Sequence, residues 1–177
     1  MTTKNYTTFA TKIGRCGIAW RSQENTGEII ITNFQLPESD IKKTNEKTFQ
    51  ITGGLLVKKT PAKILQIINR IQKHLRGNSD DFQNILCDTE TASEFALQVY
   101  SACRLITPGK TIAYGKLAEM IKRPNSSRAV GMALGKNPIP LIIPCHRVIQ
   151  SGGGLGGFSA SGGIQMKEKL LDIEKSC

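Results

Sequence analysis

A glycine-rich stretch near the end of the chain limits what this sequence can fold into more than any other feature. Seven of the 17 glycines lie within residues 151–163. Gly152, Gly154 and Gly157 match the G-x-G-x-x-G spelling of dinucleotide-binding turns. The helix that should follow such a turn is interrupted at Gly162, and the residues that remain are too few for the helix and second strand of a βαβ unit. We therefore expect a loop or wing here, and no dinucleotide site.

The composition describes a reduced, folded chain. An apolar content of 39% with 21% charged residues is enough for a packed core, in one large domain or two small ones. No apolar run approaches the roughly 18 residues that span a bilayer, and no apolar segment follows the N-terminus as in a signal peptide. Five scattered cysteines and two histidines predict neither a disulfide framework nor a metal site. We expect a cytoplasmic protein, or a nuclear one in a eukaryote, with no membrane partner.

Positive charge is concentrated in one part of the chain. The formal net charge is +10, and residues 101–150 hold eight basic residues against Glu119 alone, whereas residues 151–177 are neutral. Such a local excess favours binding of a polyanion, most often nucleic acid. A generally basic surface explains it equally well, so charge alone does not decide.

Residues 1–85 are expected to form a small mixed α/β domain. The β-branched residues 29–31 suit a strand that residues 33–37 interrupt, and Pro61 opens a helix with apolar residues at helical spacing. Residues 77–81 (Gly-Asn-Ser-Asp-Asp) end that helix and are the best candidate for a linker. The remaining residues, 86–177, form a second domain, and the chemistry is expected there.

Three short helices are predicted in the second domain. Phe95, Val99, Ala102 and Cys103 share the inner face of the first helix. Thr111 can cap the second, which residues 122–125 (Lys-Arg-Pro-Asn) end.

Ser126 can cap the third helix, which carries Arg128 on its outer side and two glycines that allow close approach of a ligand. Two short helices joined by a tight turn, in the most basic part of the chain, are typical of a DNA-binding helix-turn-helix. An ordinary helical hairpin is the alternative.

Cys145 follows the apolar residues 141–143, which we predict to be a short buried strand that stops at Pro144. A cysteine nucleophile reacts as its thiolate, and a cationic or proton-accepting neighbour promotes that form; His146 and Arg147 supply both kinds. In extended chain adjacent side chains point to opposite faces, so a turn or a water would have to connect Cys145 with His146. A buried structural cysteine beside an incidental histidine is the alternative reading.

The last element is predicted to be a helix from Ile164 to Lys175. Glu174 lies one turn beyond the apolar Leu170 and Leu171, where it could reach an imidazole. A solvated glutamate is the ordinary alternative.

Taken together, these residues resemble the O6-alkylguanine-DNA alkyltransferases over residues 95–174. The matching motifs occur in the family's order and approximate spacing: Phe95-x-x-x-Val99-Tyr100, Tyr114-Gly115-x-Leu117-Ala118, Ser127-Arg128-Ala129-Val130-Gly131, Asn137-Pro138-x-Pro140, Ile143-Pro144-Cys145-His146-Arg147-Val148-Ile149, Gly157-Phe158-Ser159 and Lys167-x-x-Leu170-Leu171-x-x-Glu174.

The resemblance implies an α/β (α+β) protein whose second domain is helical and like a winged helix-turn-helix. It also implies a monomer that binds the minor groove of double-stranded DNA and flips an O6-alkylguanine (or O4-alkylthymine) nucleotide from the helix. The cysteine then takes the alkyl group irreversibly, once per molecule, with no cofactor and no metal.

The family's catalytic roles fall on five residues of this chain. Cys145 would be the nucleophile, and His146 would receive its proton through a water. Glu174 would orient His146, and Asn137 would hold this network in place. Tyr114 would donate a proton or hydrogen bond to the departing guanine.

The binding roles fall on two further sets. Arg128 would fill the gap left by the flipped base. The remaining DNA contacts implied by the resemblance are at Tyr114, Gly115, Arg123, Ala129 and Ser151. The base pocket would be formed by Pro140, Val148, Phe158 and Ser159.

The chain departs from the family at several positions. Tyr100 stands where many members have Trp, and Phe158 replaces a Tyr found in some, which removes a hydroxyl from the pocket. The loop 157–163 is about two residues longer than usual, which bears on tolerance for bulky alkyl groups. The zinc ligands of some members are absent.

Two other functions fit parts of the pattern. A lesion sensor or transcription regulator would use the helix-turn-helix with Cys145 inert, although family members that only bind lesions lack the cysteine. A Cys-His hydrolase would need an oxyanion site and an acyl pocket that the sequence does not supply.

Overall fold

The structure, a computed structural model, describes residues 4–89 and 91–175. By the contacts between its elements the chain divides into two compact units, residues 1–88 and 89–177. The fold is α+β, as expected from the sequence.

The first unit is built on a four-stranded sheet of order β3-β2-β1-β4. Strands β1, β2 and β3 are antiparallel neighbours, and the short β4 pairs in parallel with β1 at the edge. In chain order the elements are β1 Asn5–Thr11, β2 Gly14–Ser22, β3 Ile29–Gln35, α1 Ile41–Thr52, β4 Leu55–Leu56 and α2 Ala62–His74.

Helix α1 packs on this sheet through threonines. Thr44, Thr48 and Thr52, spaced four residues apart, are its buried residues. Each hydroxyl donates to the carbonyl one turn earlier, so the buried oxygens are satisfied within the helix. A Cβ built on Gly17 of β2 would lie 2.1 Å from the Thr48 hydroxyl, so only glycine allows this approach.

Two expectations for this half were wrong. The strand that begins at Ile29 is not interrupted by residues 33–37, because β3 continues to Gln35 with Phe34 buried against Phe9. The segment 77–81 is not a linker, because it lies within the first unit, where both carboxylate oxygens of Asp80 accept hydrogen bonds from Arg70 at 2.7 Å.

The second unit carries four helices and a two-stranded parallel sheet of β5 and β6 in its described residues. A 3-10 turn precedes β6 and leads the chain into it. In chain order the elements are α3 Glu94–Arg104, β5 Ile112–Ala113, α4 Tyr114–Met120, α5 Ser127–Gly135, the 3-10 turn Cys145–Arg147, β6 Val148–Ile149 and α6 Gly163–Lys175.

The predicted pair of short helices, α4 and α5, is present, but the helix starts differ from those expected. Thr111 does not cap α4, because Ile112 and Ala113 form β5 and the N-cap is Ala113. Ser126 does occupy the N-cap of α5, with φ −96° and ψ 19° in place of the extended backbone that side-chain capping uses.

The strand predicted at residues 141–143 was also wrong. These residues are buried, but they form a turn in which the Ile143 N–H donates to the Ile139 carbonyl at 2.9 Å. Leu141 adopts a left-handed conformation with φ 75°. Because Pro140 and Pro144 lack backbone N–H groups and bracket only three residues, a continuous ladder has no room to form.

Candidate active site

Cys145 is the first residue of the 3-10 turn, which follows the proline-rich segment 138–144. Cys145, His146 and Arg147 are all buried in this turn. Because the backbone turns here, the side chains of Cys145 and His146 do not point to opposite faces as they would in extended chain. Asn137 fixes the preceding segment, because its amide donates to the Ile143 carbonyl at 2.8 Å and its oxygen accepts from the Ile139 N–H at 3.0 Å.

Cys145 is buried, with 8% of the residue exposed. Burial raises its pKa, while a hydrogen bond from Asn137, the positive charge of Lys167 and the backbone N–H groups of the turn act in the opposite direction. The resting side chain is therefore a thiol surrounded by groups that favour its thiolate, so a nearby base is needed to complete the change.

Glu174 joins two buried partners from the turn. Its Oε1 lies 2.9 Å from His146 Nε2, and Arg147 donates to the same carboxylate through Nε and Nη2 at 2.7–3.2 Å. The Gly109 N–H donates to Glu174 Oε2 at 3.2 Å. With the Nε2 proton of His146 directed at this carboxylate, Nδ1 carries the lone pair of the ring and is its proton acceptor. The Arg147 guanidinium is thus engaged with Glu174, and the cation that lowers the pKa of Cys145 is Lys167.

Lys167 belongs to a motif that the sequence analysis matched, but it was given no role there. Its side chain is 1% exposed, and its ammonium donates to the Val148 carbonyl at 2.7 Å and to the Tyr114 hydroxyl at 3.4 Å. Burial lowers its pKa, and the nearby thiols Cys145 and Cys103 act in the opposite direction. The signal was in the spacing: Lys167 lies three and four residues before the buried Leu170 and Leu171, on the inner face of α6.

Tyr114, the first residue of α4, lies close to two glycines. A Cβ on Gly156 would come within 3.0 Å of its hydroxyl, and one on Gly131 within 3.7 Å of its ring. Burial raises the pKa of Tyr114, so the hydroxyl keeps its proton and can donate it. The Lys167 ammonium lies 5.6 Å from the ring centroid.

A cavity of about 920 Å³ opens above the thiol, between the helix-turn-helix and the glycine loop. Seven of the residues singled out from the sequence line it: Tyr114, Gly115, Arg128, Cys145, Ser151, Phe158 and Ser159. Met132 and Gln150 line it too and had not been singled out, because nothing in their spacing marks them.

The other predicted residues lie outside this lining. His146 and Glu174 are buried, and Asn137 is half-buried. Val148 is fully buried and its carbonyl is bonded to Lys167. The rest of the set lies elsewhere on the unit: Arg123 on the exposed turn after α4, with Ala129 and Pro140 half-buried.

Among residues 4–89 and 91–175, no cluster of three His, Cys, Asp or Glu side chains is placed to hold a metal ion. No helix within those ranges is long and apolar enough to cross a bilayer. The four cysteines in the described part of the chain form no disulfide, and Cys177 lies outside the described residues.

A helix-turn-helix unit with a buried Cys-His-Glu cluster beneath a cavity defines a narrow class of protein, and the comparisons agree with it. The family model of the 6-O-methylguanine DNA methyltransferase DNA-binding domain matches residues 94–176. Methylated-DNA–protein-cysteine methyltransferases of Metallosphaera sedula and Methanosarcina acetivorans are 40% and 46% identical, over 62% and 61% of this chain and 67% of each relative. The chain belongs to this methyltransferase family.

The matches differ in how much of each relative they span. The match to the methyltransferase of Kluyveromyces lactis, at 42% identity, covers 58% of this chain and 53% of that protein. The crystal structure of Mycobacterium tuberculosis OGT in complex with DNA is similar over 97% of this chain and 93% of its own, with a TM-score of 0.75 and 29% identity. The fold likeness therefore includes the first unit, which the family model leaves out.

Proposed function

We propose that this protein repairs DNA by moving the alkyl group of an O6-alkylguanine onto Cys145, once per molecule. The observation that carries the proposal is the Cys145 thiol at the base of a cavity, with the buried His146–Glu174 pair behind it. The family membership and the Mycobacterium tuberculosis OGT–DNA complex support the same assignment.

The first step forms the nucleophile. His146 takes the thiol proton through a bridging water, and Glu174 stabilises the imidazolium that results, as in other triads. Lys167 stabilises the thiolate by its charge. Because this thiolate is soft and desolvated, it suits attack on a saturated carbon.

In the transfer step the sulfur–carbon bond forms while the carbon–O6 bond breaks. The electron pair of the broken bond goes to the guanine, which takes a proton from the Tyr114 hydroxyl. The Lys167 ammonium, 3.4 Å from that oxygen, stabilises the phenolate. The product is a thioether, which water does not cleave, so Cys145 is not regenerated.

The duplex is bound by the helix-turn-helix through the minor groove. Among the described residues, a Cβ at Gly115 or Gly135 would lie in open space, so internal packing does not require glycine at either position. A glycine within a helix costs about 1 kcal/mol relative to alanine. Close approach of a DNA backbone from outside accounts for glycine at these positions of α4 and α5.

The target base leaves the stack to reach the thiol. An atom inside a duplex is out of reach of a buried side chain, and extruding the nucleotide costs a few kcal/mol. Arg128, exposed at the start of α5 and at the rim of the cavity, fills the space that the base leaves.

The test is intact and peptide mass spectrometry after mixing the protein with duplex DNA that carries one O6-methylguanine. We expect one methyl group per protein on the Cys145 peptide, none with Cys145→Ser, and normal uptake with Cys87→Ser as the matched control. Arg128→Ala should slow repair of the paired lesion more than reaction with free O6-benzylguanine.

Three outcomes contradict the proposal. An unmodified protein that still binds the lesion indicates a sensor, and repeated turnover indicates a hydrolase. Methyl uptake by Cys145→Ser excludes Cys145 as the nucleophile. Equal losses with both substrates would contradict the role of Arg128.

A further inference from the structure

Met132 occupies an unusual position on α5. It is 62% exposed, whereas Val130 and Leu134 on either side of it are buried. It lies four residues after Arg128 and therefore on the same helix face, next to Gly131. Leu134 of the same helix also lines the Cys145 cavity but is 5% exposed, so Met132 is the exposed long apolar side chain that α5 contributes there.

Met132 separates two cavities on the surface of this unit. It borders the cavity above Cys145 on one side and another cavity, of about 410 Å³, on the other. The second cavity is lined partly by Tyr100 and Ala133, which belong to the packed part of the unit. Because the flexible Met132 side chain lies exposed between these two cavities, it is placed to contact a bound partner and does not fill the core.

We propose that Met132 is an apolar wedge that enters the base stack of the bound duplex beside Arg128. This inference rests on the proposed repair function. Proteins that bind the minor groove often insert Met, Leu, Ile or Phe between base steps, and the inserted side chain offsets part of the unstacking cost.

The spacing of the two side chains suits a division of roles. Four residues of α-helix rise about 6 Å, which lies between one and two base-pair rises of 3.4 Å and so reaches the step next to the gap that Arg128 fills. Arg128 offers hydrogen bonds to the orphaned partner base, whereas Met132 offers apolar surface to a base that has lost its stacking neighbour. Met132 therefore keeps the gap open from the neighbouring step while the lesion occupies the cavity.

The test uses the 177-residue protein and three substitutions at this position. Met132→Ala should slow methyl transfer from a paired O6-methylguanine about tenfold and change transfer from the same lesion in a single-stranded oligonucleotide at most twofold. Met132→Leu should stay close to wild type, and Met132→Gln, of similar length but polar, should behave like alanine. Met120→Ala, a 45% exposed methionine at the end of α4, is the matched control and should match wild type.

A direct readout of unstacking accompanies the rates. With 2-aminopurine next to the lesion, binding of the wild-type protein should raise fluorescence, and Met132→Ala should lose most of that rise. The proposed wedge is overturned if Met132→Ala repairs the paired lesion at the wild-type rate, or if its rate of methyl transfer falls equally on paired and single-stranded DNA. Absence of any methyl transfer by the wild-type protein overturns the repair function itself, so the two failures are distinguishable.

Discussion

Replacing Glu174 by glutamine tests the centre of the site. The Glu174 carboxylate is fully buried and accepts hydrogen bonds from Arg147 and from the Gly109 N–H, with His146 Nε2 within 2.9 Å. Glutamine keeps the shape but removes the negative charge, and its NH₂ group must face one of these donors. The Arg147 guanidinium then remains buried without a counter-charge.

The expected loss is large. Removing one partner of a buried ion pair costs about 3–5 kcal/mol, against a total stability of about 5–15 kcal/mol for a typical domain. We expect the free energy of opening, measured by hydrogen exchange at amides of α6 and of residues 145–149, to fall by about that amount. Alkylation of Cys145 by free O6-benzylguanine should also slow, because His146 loses the carboxylate that orients it.

Asp172→Asn is the matched control on the same helix. Asp172 pairs with Lys175 at 3.0 Å, but both side chains are at least 60% exposed, so the expected loss is below about 1 kcal/mol. A loss below 1 kcal/mol for Glu174→Gln as well would refute the view that this carboxylate compensates a buried charge.

Three further predictions follow from the described contacts. Because burial holds the pKa of Cys145 above its usual value, the rate with free O6-benzylguanine should rise with pH as the thiolate fraction grows; a rate that falls from pH 6 to pH 8 would contradict this. Lys167→Met removes the charge that lowers the pKa of Cys145, so the same profile should move to higher pH, and an unmoved profile would exclude that role. Gly17→Ala brings a Cβ against Thr48 and should lower the free energy of unfolding, measured by denaturant titration, by about 1–3 kcal/mol; an unchanged free energy of unfolding would contradict the close approach of the two residues.

Sequence reasoning succeeded where a periodic apolar pattern exists. The helix-turn-helix and α6 follow from such patterns, and α6 also places Glu174 on its inner face. Helix α1 had no such signal, because the side chains it buries are threonines that bond to their own backbone.

Two features of the site depended on tertiary contacts that spacing does not encode. The turn at residues 141–143 forms because prolines flank it, although its composition is that of a strand. The burial of Lys167 depends on a carbonyl from β6 and a hydroxyl from α4, which come together only in the folded chain.

Lys167 and Glu174 lie on one helix, seven residues apart. At 3.6 residues per turn that separation returns to within about 20° of the same direction, so one straight rod sets the distance between the charge beside the thiol and the charge beside the imidazole. Inserting or deleting one residue between them would turn one charge by about 100° and disconnect it from its half of the site. The loop before Gly162 does not affect this angular relation, because α6 begins only at Gly163, and Gly162 and Gly163 both have positive φ. Insertions and deletions before Gly163 therefore leave the spacing of the two charges unchanged, whereas those between Lys167 and Glu174 do not.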